Sequence, residues 1–224
     1  MKELVEWFVD FEAVRKCEVP KLFVSATNVE TGKLHIFSEG KITAAAVAAS
    51  ACFPNLFRAI EIDGVPYWDG ALLANPSIFP LLQTTTTKDV LLIQIIPFQR
   101  NGAPTSIAQI LRRLIEIASN SPLMGELRAI EYVNRLIDGG LNHASEPDKY
   151  ERVNMHRVML DAFQNGFDPL GPANTDYAFF EMLRDLGREA AQRFLDAHFE
   201  DIGVRETMDL ANEVRAITEL EIYA

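Results

Sequence analysis

Asp89-Val-Leu-Leu-Ile-Gln-Ile-Ile96 is an almost unbroken apolar run, interrupted only at Gln94. Apolar residues fall at both parities, so an extended chain here has no polar face. That pattern reads as a strand covered on both sides, as in a sheet that carries helices on each face. Upstream, Lys21 to Asn28 is rich in β-formers, Glu30-Thr31-Gly32 is a turn, and Lys33 to Phe37 returns as a second strand. Ala59 to Ile62 and Val65 to Trp68 form another hairpin around Asp63-Gly64, because glycine accepts positive φ. Between the hairpins, Thr43 can cap an alanine-rich helix running to about Ser50, with Pro54 just beyond its end. Leu4, Val5, Phe8 and Phe11 recur at helical spacing and place one or two short helices in residues 2–15, stopped by Pro20. Pro76 suits the first turn of a short helix, and Thr84 to Thr87 read as a solvated loop ahead of the long apolar run.

Helices dominate downstream. Ile107, Ile110, Leu111, Leu114 and Ile115 make one apolar stripe, and Leu123, Leu127, Ile130, Val133 and Ile137 make the next, closed by Gly139. Arg152 to Leu160 has strand character, and Pro169, Gly171 and Pro172 break the chain. Phe179, Leu183, Leu186, Ala190 and Phe194 mark a long amphipathic helix, with a shorter one over Val204 to Ile217. Strands mixed with helices, one strand being of buried type, give an α/β layered domain. A chain of 224 residues, 48% hydrophobic, can bury the core of a single domain over 1–224.

Composition narrows the function. The formal net charge of -11 repels phosphate backbones, which excludes nucleic acid as a natural partner and argues against simple electrostatic adhesion to anionic lipid. No apolar run approaches the ~18–20 residues of a spanning helix. Glu3, Glu6 and Asp10 interrupt the N-terminal region, so no secretory h-region is expected there. Cys17 and Cys52 have neither disulfide nor zinc spacing and read as reduced thiols of a cytoplasmic protein. His35, His143, His156 and His198 are scattered without a metal-binding spacing, so no metal and no cofactor are expected.

Three blocks carry a more specific signal: Leu22-Phe-Val-Ser-Ala-Thr-Asn28, Ala48-Ala-Ser-Ala-Cys-Phe-Pro54, and Tyr67-Trp-Asp-Gly-Ala71 followed by Asn75-Pro76. In this order and spacing they resemble patatin-like phospholipases of bacterial type, and the likeness extends through Asp89 to Pro97 and Glu126 to Asp138. The resemblance implies a layered α/β/α domain and lipid acyl hydrolysis by a Ser–Asp dyad without histidine or metal. Its substrates are phospholipids and other fatty-acyl esters, met in transient membrane contact. It assigns the catalytic aspartate to Asp69, in the motif Asp69-Gly70-Ala71, with Gly70 and Ala71 supporting the turn. The family's nucleophile lies in a G-x-S-x-G elbow, and a glycine-rich loop supplies its oxyanion hole. Neither pattern occurs in these residues. The domain is therefore expected to be incomplete at its N-terminus, a fragment that carries the base without the nucleophile and is inactive alone.

The residues also admit plainer readings. Asp138-Gly139-Gly140 matches D-G-G, but it closes a helix. Ser50 lacks the flanking glycines and the strand–turn–helix setting of an elbow. Ser25 sits in a strand, as a ladder residue or as part of a site lining. Cys52 reads as a buried thiol, and His156 as a packed or surface histidine beside Arg157. Phe53, Phe57, Trp68 and Phe79 surround the motif as core or as the lining of an acyl pocket. An alternative to the enzyme is a non-catalytic acyl-lipid-binding or protein-interaction module built on the same fold.

Overall fold

The computed structural model describes residues 2–140, 151–160 and 176–218. The fold is mixed α/β. Contacts divide the chain into two compact units, Met1–Thr84 with Ser121–Leu123, and Thr85–Asn120 with Met124–Ala224.

The first unit opens with two short helices, α1 (Lys2–Phe8) and α2 (Phe11–Lys16). Asp10 separates them, because its carboxylate caps α2 by accepting from the Glu12 and Ala13 N–H groups. Strands β1 (Phe23–Asn28), β2 (Leu34–Ser38), β3 (Ile60–Ile62) and β4 (Val65–Asp69) form an antiparallel sheet in the order β2-β1-β4-β3. The Asp63-Gly64 turn has positive φ at both residues, 52° and 79°, as a tight two-residue hairpin requires. Thr43 caps α3 (Ala44–Ser50) through the Ala46 N–H. The run of small alanines lets α3 lie close on β1, β3 and β4. The core is Ala26, Phe37, Ala46, Ala49 and Tyr67, with Phe37 and Tyr67 meeting edge to face at 5.4 Å.

Helix α4 (Phe79–Thr84) begins later than the Pro76 signal suggests. Pro76 lies ahead of the helix, and Pro80 takes the first-turn position where an amide hydrogen is not needed.

In the second unit β5 (Asp89–Gln94) pairs in parallel with β6 (Asn154–Met159), with Asp89 opposite Asn154 and Gln94 opposite Met159. The expectation that both faces of this strand are covered does not hold among the described residues. Val90, Leu92 and Gln94 are buried, whereas Leu91, Ile93 and Ile95 are 49%, 69% and 58% exposed. A continuous apolar run shows only that both faces tolerate burial. It does not supply the second covering layer.

The two helical stripes are one helix, α5 (Ile107–Asp138), which runs through Pro122. Proline inside a helix costs about 3 kcal/mol. Against that cost stands a buried face that keeps helical spacing across the proline: Glu116, Asn120, Leu123, Leu127, Ile130 and Asn134. The stripe containing Ile107, Ile110, Leu111 and Leu114 is exposed. Ser106 and Gln109 form a capping box at the start of α5, and the helix ends at Asp138 with Gly139 as its cap. Asp138 pairs with Arg152 at 3.4 Å, a helix-end role as its sequence setting implies.

Helix α6 (Tyr177–His198) follows its amphipathic pattern. Helix α7 (Leu210–Thr218) starts six residues after Val204. The intervening Thr207 and Met208 N–H groups both donate to the Met155 carbonyl of β6, which holds that backbone out of a helix.

Candidate active site around Asp69

Asp69 is the last residue of β4, and its position follows from two strand pairings. Ala26 of β1 stands opposite it, and Thr27 Oγ1 donates to its carbonyl at 2.9 Å. Its own N–H donates to the Cys52 carbonyl at 3.0 Å. The chain then turns through a 3-10 segment, Gly70–Leu72, and Asp69 Oδ1 accepts from the Ala71 N–H at 2.9 Å. Ala71 thus orients the carboxylate. The other carboxylate oxygen has no partner among the described residues.

Gly70 supports this turn for a reason different from the one its sequence suggests. Its φ lies outside the left-handed region, so conformational freedom is not what the position needs. What it needs is space: a Cβ on Gly70 would overlap the carbonyl oxygen and the hydroxyl of Ser25. Glycine lets β1 and the turn after β4 approach closely, and Ser25 becomes the neighbour of the Asp69 turn. No signal in the sequence joins positions 25 and 70.

Asp69 lines a cavity of about 480 Å³. Leu22, Phe23, Val24, Ile36, Ala74 and Leu81 give it an apolar wall, and Ser25, Ser50, Asn75 and Ser77 supply polar groups. Burial raises the Asp69 carboxyl above the usual carboxylate range, and the Ala71 hydrogen bond only partly opposes this. Burial also raises the Cys52 thiol, with the Asp69 charge adding to the shift. Cys52 is buried and its thiol donates to the Arg58 carbonyl at 3.0 Å, so it is a packed thiol.

None of the three serines in the cavity, Ser25, Ser50 and Ser77, is hydrogen-bonded to Asp69 among the described residues. Ser50 ends α3, and its hydroxyl donates to the Val47 carbonyl at 2.8 Å. Ser25 is both a ladder residue, opposite Ile36, and a lining residue of the cavity. The four aromatics near the motif are not among the described lining residues, and Phe57 and Phe79 are exposed, so those two are neither core nor pocket wall.

The other titratable cluster lies in the second unit. His156 is 1% exposed, with Nε2 3.0 Å from Asp89 Oδ1 and Nδ1 3.0 Å from Thr207 Oγ1. A carboxylate only accepts, so Nε2 donates to Asp89, and Nδ1 shares a hydrogen bond with the Thr207 hydroxyl. His156 is therefore a packed histidine with both nitrogens occupied. Among the described residues no cluster of three or more His, Cys, Asp or Glu could hold a metal ion. No helix among them is long and apolar enough to cross a membrane.

No known protein-family model matches this chain, and no curated protein matches it. Its likeness to patatin-like phospholipases therefore rests on the sequence blocks quoted above.

Proposed function

We propose that this chain is the aspartate-bearing part of a patatin-like lipid acyl hydrolase, and that Asp69 is the base of a Ser–Asp dyad acting on fatty-acyl esters. The domain is then a layered α/β/α domain, and the enzyme a cytoplasmic phospholipase or esterase without metal or cofactor. One observation supports this most: a carboxylate with one oxygen pinned by Ala71, the other unpartnered among the described residues, lining an apolar-walled cavity.

The chemistry follows from that arrangement. A serine hydroxyl brought within ~2.6–3.2 Å of the unpartnered oxygen transfers its proton to Asp69 as it attacks the ester carbonyl. The tetrahedral intermediate collapses, the bond to the leaving alcohol breaks, and Asp69 returns the proton to the alkoxide. Water then attacks the acyl-enzyme, Asp69 again taking and returning a proton. An aspartate of ordinary pKa is a weak base, so the upward shift from burial favours this role.

A second reading, a non-catalytic acyl-lipid-binding or protein-interaction module, is favoured for the chain by itself. Its support is that no described serine hydroxyl is hydrogen-bonded to Asp69. A fluorophosphonate probe followed by intact mass is expected to leave the folded 224-residue chain unmodified. A stoichiometric adduct would place a nucleophile inside it. In a polypeptide joining this chain to an upstream G-x-S-x-G segment, D69N should lower ester turnover about 10²–10⁴-fold with the fold retained. Normal turnover by D69N would remove Asp69 from the mechanism.

A further inference from the structure

Asp69 shares its cavity with one basic residue among the described lining residues, Lys21. Lys21 Nζ donates to the carbonyl of Thr84, the last residue of α4, at 2.9 Å. An ammonium has three donors, so two remain available. No carboxylate among the described residues lies within ion-pair distance of it. The tether to Thr84 restricts a long, flexible side chain in advance, which lowers the entropic cost of using it to hold a ligand. The cavity therefore carries a negative group at Asp69, a positive group at Lys21 and an apolar wall.

We infer that Lys21 selects acyl ligands whose polar end is anionic, for which a phosphate monoester serves as the probe. The inference rests on the reading of this cavity as an acyl site. An anionic end is repelled by Asp69 and drawn to Lys21, so the two charges orient an amphiphile in one sense. The net charge of -11 repels anions at long range, so any preference for them must arise from a local contact of this kind.

The test is titration calorimetry on the whole chain with octyl phosphate, 1-octanol and inorganic phosphate, using wild type, K21Q and K21R. Wild type is expected to bind octyl phosphate about tenfold more tightly than 1-octanol, as one charged hydrogen bond allows. K21R should keep that ratio and K21Q should bring it to about one. Inorganic phosphate should bind at least about tenfold more weakly than octyl phosphate, since it leaves the apolar wall unused. Equal affinity of wild type for octyl phosphate and 1-octanol would overturn the inference, as would an unchanged ratio in K21Q. Inorganic phosphate matching octyl phosphate would overturn it too, by making this a site for free anions. Should neither octyl ligand bind, the acyl reading of the cavity falls as well. Should both bind equally, only the role of Lys21 falls. Lys21 is exposed, so K21Q is expected to fold, and the wild-type ratio decides the matter if it does not.

Discussion

Asp69 and Asp89 are both partly buried aspartates at strand ends, one in each unit, and their surroundings push them in opposite directions. Asp89 Oδ1 accepts from His156 Nε2 at 3.0 Å, the Gly203 N–H at 3.0 Å and Asn154 Nδ2 at 3.4 Å. Those donors, His156 foremost, hold its carboxyl below the usual range. Asp69 has one donor, Ala71, and burial outweighs it. A carboxylate whose lone pairs are matched ties strand, loop and histidine together. A carboxylate left with an open oxygen in a cavity is costly as structure and useful as a base. The rest of each region follows the same division. In the second unit Asn134 exchanges two hydrogen bonds with Val153, at 2.8 and 2.9 Å, and Arg157 grips Glu213 through two more, at 2.7 and 3.2 Å.

Substitutions that remove a matched partner in the second unit should therefore cost stability, and those at Asp69 should not cost it. The largest effect is expected at Glu116, which is 1% exposed. It sits 2.6 Å from Arg100 Nη2, a charge contact too poorly aligned to count as a hydrogen bond, and 3.3 Å from Arg113 Nη1. E116A removes the buried carboxylate that faces Arg100 and Arg113 and should cost about 3–5 kcal/mol in urea unfolding. A loss below 1 kcal/mol would show the cluster to be solvated. H156A should cost about 3 kcal/mol, from the space vacated and from the unmatched Asp89 and Thr207 groups. G70A should cost about 1–3 kcal/mol, because its Cβ overlaps Ser25. S25G should recover only part of that loss, since the Ser25 carbonyl oxygen remains in the way.

The smallest effect carries the sign that separates the two aspartates. Asp69 has a raised folded-state value, so as pH rises past about 3.9 the unfolded chain ionises first and folding weakens until folded Asp69 ionises too. D69N should therefore gain stability relative to wild type across that rise. Asp89 has a lowered value, so its contribution is present above about 3.9 and is lost as pH falls through the folded-state value. D89N should be less stable than wild type at neutral pH, and the difference should shrink as the pH falls below 3.9. Slopes of the same sign for both variants would break the comparison.

Much of the first unit is legible from local chemistry. The Asp63-Gly64 turn, the Thr43 cap and the β-rich blocks each specify their own conformation within a few residues. The candidate base is legible because a short motif, Asp69-Gly70-Ala71, carries it, and Ala71 supplies the hydrogen bond that orients it. What stayed hidden depends on distant partners. Ser25 and Gly70 meet only because β1 and β4 pair, and Asp89 and His156 lie 67 residues apart. The two apolar stripes join into one helix through Pro122 because the proline penalty is local, while the buried face that outweighs it is a property of the folded chain. Leu91, Ile93 and Ile95 read as buried because hydrophobicity alone does not say whether a covering layer is present.

Carbon-13 detected titration of the Asp69 and Asp89 side-chain carboxyls in a single sample tests the central claim most directly. The expected result is Asp69 titrating above the usual value of about 3.9 and Asp89 below it. Asp69 titrating at or below the usual value would mean that its carboxylate is as well matched as Asp89, and would contradict its assignment as a poised base.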